Sequence, residues 1–333
     1  MRKTIWLAAL APLLMLISGQ AGAAAAKTTL HLVHPLPKFL IFTKSCFQLV
    51  DKINKASGGA VEIKVRGGRE VIPSFEQAPA VSKGVVDMSC LPITFYSVRV
   101  PELDAIPASN SSPAAVRANG GMMILDDLHQ KYLGVKFLGW TDSGVPFHIF
   151  MKAKPKFKPG GMPDWSGVKL RDNPIYGAFF RAMGASTHAM PPPAVFQAMQ
   201  KGVINASAWP SVSFVQTRWS KFIKYRLDPG FYQTDLVMIM NLKRWKGLGP
   251  KAQKVIQDTV IAHENSSRAA RIAEMKAETA LSVKKGLELV PVPAAARYQK
   301  LAVDEIYKRM EARLTKRKRP LTWAKELRAK FQK

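Results

Sequence analysis

Val195-Phe196-Gln197-Ala198-Met199-Gln200-Lys201-Gly202-Val203-Ile204-Asn205 reads as a short helix that stops at a glycine and feeds an apolar strand. The junction has an upstream echo. Phe75-Glu76-Gln77-Ala78 is followed by Lys83-Gly84-Val85-Val86-Asp87. Each copy belongs to a strand–helix–strand unit of a sheet, and two such units argue for two lobes. Chance likeness of helix-to-strand junctions is the competing reading. Pro79 weakens the first copy, because proline kinks a helix interior.

Outward from these junctions, strands and helices alternate. Thr29 to His34 predicts a strand, and Phe39, Phe42, Cys46, Leu49 and Ile53 share one helical face. Val61, Ile63 and Val65 alternate with charged residues as a half-buried strand. Val85 to Cys90, Val135 to Thr141, Phe147 to Lys152, Val168 to Arg171 and Val203 to Trp209 predict further strands. Ser112-Pro113 opens a helix closed by Gly134, with Gly120-Gly121 as a weak point. Pro174 starts another that runs through Met183. The Pro- and Gly-rich stretch Lys154 to Ser166 predicts a loop or an interlobe crossing. Alternation of this kind predicts mixed, mostly parallel sheets flanked by helices. Lys251 to Lys285 lacks Pro and Gly, and a helix there reaches about 50 Å, long enough to bridge both lobes. The expected division is 27–148 plus about 236–265 for one lobe, and 149–235 plus about 266–333 for the other.

The N-terminus carries Arg2 and Lys3, then an apolar run from Ile5 to Ile17, then small residues to Ala26. That pattern predicts a signal peptide over residues 1–26, cleaved on export to the periplasm. The run is shorter than the ~20 residues a membrane span needs. The formal charge of +27 points to an anionic ligand or surface, since no nucleic-acid motif occurs. Cys46 and Cys90 could bridge in an oxidising compartment or stay as two small buried thiols.

Catalytic and metal constellations are missing from the pattern. No nucleophile elbow, phosphate loop or zinc-protease helix occurs. His31 and His34 face opposite sides of a strand, and Asp126 with His129 makes only two ligands. No cofactor, no metal and no enzyme activity are expected. Arg171 is the exception to this blandness. It sits at the carboxyl end of a strand beside a predicted helix start, the edge where open α/β sheets bind ligands. Its guanidinium fork matches a carboxylate. A surface arginine paired to Asp172 is the alternative.

A colinear pattern joins these pieces: Gly167-Val168-Lys169-Leu170-Arg171, Pro174-Ile175-Tyr176, Phe180, Gly184-Ala185, Met190-Pro191, Val195-Phe196 and Gly202-Val203-Ile204-Asn205. With Gly84 to Met88, Met240-Asn241, Trp245 and Pro250, it resembles the DctP family, the solute-binding subunits of tripartite ATP-independent periplasmic (TRAP) transporters. The resemblance implies a two-lobed periplasmic binding protein fold with a hinge and a bridging helix. It implies delivery of a captured solute to the small and large membrane subunits of a permease. It also implies that Arg171 grips the ligand's carboxylate. Two departures follow. Gly144 to His148 holds no arginine where many relatives carry a second one, and Trp209 stands where many have asparagine. Both predict a ligand with one carboxylate and an apolar or aromatic body. Phe95, Phe147, Trp209 and Phe214 are expected walls, Asn241 a hydrogen-bonding partner, and Phe39 a residue near the mouth. A sensor subunit for a signalling receptor, an exported enzyme and a basic surface-binding protein are the rival readings.

Overall fold

The computed structural model describes residues 27–332. The expected export segment, residues 1–26, lies outside the described residues. In chain order the strands are β1 (Thr28–Val33), β2 (Val61–Gly67), β3 (Met88–Pro92), β4 (Val135–Thr141), β5 (Phe147–Met151), β6 (Lys156–Phe157), β7 (Pro163–Asp164), β8 (Lys169–Asp172), β9 (Ser186–Ala189), β10 (Ala206–Pro210), β11 (Tyr225–Asp228), β12 (Leu236–Asn241) and β13 (Glu288–Pro291). One sheet has the order β2-β1-β3-β12-β4, and the other β13-β11-β5-β10-β8-β9. In the first, β1 runs parallel to β2 and β3, and β12 is antiparallel to β3 and β4. In the second, β8 runs parallel to β9 and β10, and β5 is antiparallel to β10 and β11. The two lobes therefore repeat one topology, with β13 added.

The echo seen in sequence is a structural repeat. Both short helices, Gln77–Lys83 and Val195–Gln200, lead into a left-handed glycine, Gly84 at φ 74° and Gly202 at φ 69°. Asp87 donates its N–H to the His31 carbonyl at 3.0 Å and accepts the His31 N–H on its carboxylate at 2.7 Å. Asn205 makes the same pair with Lys169, at 3.0 and 2.8 Å. Pro79 is accommodated in the first turn of its helix, where its missing N–H is no loss. The strands start about three residues later than expected. Val85 and Val203 still bond back to Ala80 and Ala198 to finish the helix ends. The span opened by Pro113 is two helices, Pro113–Ala118 and Gly121–Leu133, broken at left-handed Gly120. Strands β9 and β11 are short and were not legible beforehand.

The helix Pro250–Lys284 is 35 residues long and braces both lobes. Near its start it serves the first: Glu264 accepts from the Trp140 N–H at 2.8 Å and from Arg117 Nε at 2.8 Å. Near its end it serves the second: Glu278 accepts from Ser213 N and Val215 N, and Thr279 from Arg226. Between them Arg271 pairs with buried Asp142 at 3.1 Å, where the chain leaves the first sheet. Among the described residues no helix is long and apolar enough to cross a membrane.

The last two helices, Ala295–Lys316 and Thr322–Phe331, contact both halves. Arg309 and Arg319 reach the fully buried carboxylates of Asp104 and Glu102 in the first. Ala302 accepts from the Tyr232 hydroxyl at 2.8 Å beside the second.

Cys46 and Cys90 are joined, which settles the open question of their state; they tie the helix Ile41–Ala56 to β3 across a separation of 44 residues. Closing a loop of that size restricts the unfolded chain by about 4 kcal/mol in the chain-entropy account. Replacing both cysteines by alanine should lower Tm by roughly 5–10 °C in a melting experiment. The brace gives a second test. A Cβ on Gly139 would lie 2.6 Å from Val260 Cγ1 and press on the Glu264 carboxylate, which Arg117 holds. Gly139→Ala should cost about 1–3 kcal/mol in denaturant unfolding, whereas alanine at Gly59, where a Cβ meets nothing within 4 Å, should cost mainly its left-handed backbone strain.

Candidate ligand-binding site

The lobes enclose a cavity of about 340 Å³, at the small end of the ~300–1,000 Å³ typical of ligand clefts. The first lobe contributes Phe42, Phe75, Thr94, Phe95 and Asp235, and the second Phe147, Arg171, Tyr176, Met190 and Trp209. Arg171 is the one basic side chain among the described residues lining it.

Arg171 lies in the last half of β8, between β9 and β10 in parallel register. The side chain is only 3% exposed. Its Nε and Nη2 donate to the Met190 carbonyl at 3.0 and 2.9 Å, and its Nη1 donates to the Tyr176 hydroxyl. A guanidinium has five N–H groups. These three contacts leave one N–H on each Nη unused, and a carboxylate accepts from such groups. Burial pushes the Tyr176 hydroxyl up to about 12, so it stays a neutral phenol. Burial also raises Asp172, and the alternative of a surface Arg171–Asp172 pair does not occur: Asp172 reaches Arg181 instead, at 3.5 Å.

The predicted helix start at Pro174 is corrected. The helix is Gly177–Ala182, and Asn173 Oδ1 takes the N–H groups of Ile175 and Tyr176 at 2.8 and 3.2 Å. With those donors satisfied, the N–H groups of Ile175 and Tyr176 add nothing to the guanidinium.

Of the residues singled out from sequence, Arg171, Trp209, Phe147 and Phe95 line the cavity together. Phe147 packs its ring 5.9 Å from Tyr176, and Phe95 sits edge-on to Phe75 at 5.0 Å. Trp209 stands edge-on to Trp219, and its buried Nε1–H has no partner. Three expected residues lie elsewhere. Asn241 caps the helix Leu242–Lys246, accepting from Arg244 N, while its amide donates to Val81 O. Phe214 stacks on Phe150 at 4.3 Å in a separate core cluster. Phe39 is 55% exposed and outside the lining. Their types suited a site, but backbone and packing demands took them first. Sequence reading missed Tyr176, Thr94, Phe75 and Asp235. A lone acid before the apolar run Leu236–Met240 was the available signal for Asp235.

The profile of the DctP family, described as bacterial extracellular solute-binding protein family 7, matches residues 41–314. A solute-binding protein of Albidiferax ferrireducens is 23% identical over 180 residues, 52% of this chain; the match spans about half of that relative, 51%. The C4-dicarboxylate-binding periplasmic protein DctP of Rhodobacter capsulatus is 24% identical over 251 residues, 73% of each chain. Among solved structures, a TRAP periplasmic solute-binding protein of Desulfovibrio salexigens with bound orotic acid superposes at a TM-score of 0.77. It is 17% identical and covers 91% of this chain and 98% of its own. A duplicated two-lobed frame, a cavity between the lobes and a profile match along most of the sequence agree, and the chain belongs to the DctP family of TRAP solute-binding proteins.

Proposed function

We propose that this chain is an exported periplasmic receptor that captures a small organic acid with one carboxylate and an apolar or aromatic body, and hands it to the small and large membrane subunits of a TRAP permease. The observation that carries the reading is the two unused N–H groups of Arg171, one on each Nη, in a largely apolar cavity. One fork neutralises one carboxylate. A second carboxylate would meet no basic side chain in the lining, and burying an unpaired charge is costly. The dicarboxylate named for the Rhodobacter relative is therefore a poor candidate here, whereas orotic acid, named for the Desulfovibrio structure, has one carboxylate on a flat ring.

Capture proceeds by closure of the lobes. The chain passes between them in two adjacent crossings, where Thr234 N bonds Val145 O at 3.0 Å and Gly144 N bonds the Gln233 amide oxygen at 2.9 Å. Rotation about these crossings opens the cavity to solvent, and ligand shifts the balance by its preference for the closed form. Excluding water strengthens the ion pair. The net charge of +27 speeds the encounter with an anion.

A thermal-shift screen of organic acids, with orotate and other cyclic monocarboxylates beside succinate, should show the largest rise for a monocarboxylate. For the strongest hit, Arg171→Ala should weaken binding by about 2–5 kcal/mol in calorimetry. Arg171→Lys should recover only part of it, because an ammonium lacks the fork. Unchanged affinity in Arg171→Ala, with the fold intact by circular dichroism, would refute the reading.

A further inference from the structure

The cavity has a second polar end. Thr94 follows β3 and Asp235 precedes β12, and the Ile93 N–H bonds the Asp235 carbonyl at 3.1 Å to hold the two segments together. The Thr94 hydroxyl is buried and has no partner among the described residues. The Asp235 side chain is 5% exposed, lines the cavity and forms no ion pair among the described residues. The backbone N–H groups of Thr94 and of Asp235 itself favour its charged form, against the larger effect of burial. Four further groups bear on it. The hydroxyls of Tyr96 and Tyr176 lie within its field, Asp104 opposes its charge and Arg309 favours it.

We propose that Asp235, with Thr94, is the second anchor of the ligand: as a neutral acid it donates a hydrogen bond and so selects organic acids that carry an acceptor, such as a ketone, lactam carbonyl or ring nitrogen, on the side away from the carboxylate. This deepens the proposed function and rests on the Arg171 cavity being the binding site.

The argument is one of charge and hydrogen-bond balance. A bound carboxylate neutralises Arg171. An ionised Asp235 would then leave a lone negative charge in a closed apolar space. The neutral acid carries no such cost, but it owns an O–H that must find an acceptor. Backbone N–H groups only donate and cannot accept that proton. Thr94 can relay or supplement the donation, because its hydroxyl is unengaged. The same device, a carboxylic acid held neutral so that it donates, is known at enzyme sites. Burial accordingly pushes the Asp235 carboxyl up to about 7. Because the complex requires the proton, affinity is full below that value and falls as pH rises through it.

The test uses a matched series on the purified exported chain: cyclohexanecarboxylate, its 3-oxo and 4-oxo derivatives, and 4-aminocyclohexanecarboxylate. Calorimetry is run at pH 5.5 and 8.5 on the wild type, Asp235→Asn and Asp235→Leu, with melting curves to check folding. One of the oxo acids should bind at least tenfold more tightly than the parent acid at pH 5.5, and the advantage should shrink at least tenfold at pH 8.5. Asp235→Asn, whose amide donates at both pH values, should keep the advantage and lose the pH dependence. Asp235→Leu should abolish the advantage. Equal affinity for oxo and parent acids in the wild type, an advantage that survives in Asp235→Leu, or a preference for the amino acid that grows with pH would overturn the second anchor while leaving Arg171 in place. If none of the acids binds the wild type, the proposed function falls and this inference with it.

Discussion

A guanidinium buried between two lobes without an ion-pair partner is the constraint on which the architecture turns. Arg171 is held on two sides, by the Met190 carbonyl and the Tyr176 hydroxyl, and open on the third. Those neutral acceptors fix its direction without cancelling its charge. In the proposed function an anion balances the remaining charge in the cavity; water would reach the guanidinium in an open form, and closure without a ligand would leave it uncompensated, so the charge would couple occupancy to shape.

The rest of the molecule makes that coupling possible. Two sheets of repeated topology place strand ends on either side of one cleft, and the matched pairs Asp87–His31 and Asn205–Lys169 set each lobe's second strand unit in register. A single helix runs along both lobes, and in the proposed function they move about the opposite crossings. Arg271 and Asp142 sit where the helix meets the first crossing. The disulfide stiffens one lobe internally and leaves the hinge untouched.

Four of the seven residues named from sequence meet in the cavity, and the reasons for the misses are instructive. Asn241 was chosen for its amide, but it is the first residue before a helix, and capping that helix claims the amide. Phe214 was chosen as an aromatic, but its partner ring Phe150 comes from a strand 64 positions earlier in the chain, a pairing that no local pattern encodes. Asp235 and Thr94 went unnoticed because each is ordinary alone. They become a site only when β3 and β12 lie side by side, antiparallel.

The sequence by itself determined the alternation of strands and helices, the repeat of the two lobes, the long brace and the choice of Arg171. All of these rest on local periodicity, on glycine and proline as breakers, or on a residue pattern along one segment. Only the tertiary structure decided the Cys46–Cys90 bond, the return of the C-terminal helices to the first lobe, and the polar end of the cavity opposite Arg171. These depend on distances between segments far apart in the chain, and burial and hydrogen-bond satisfaction are properties of the folded neighbourhood rather than of any residue in the line.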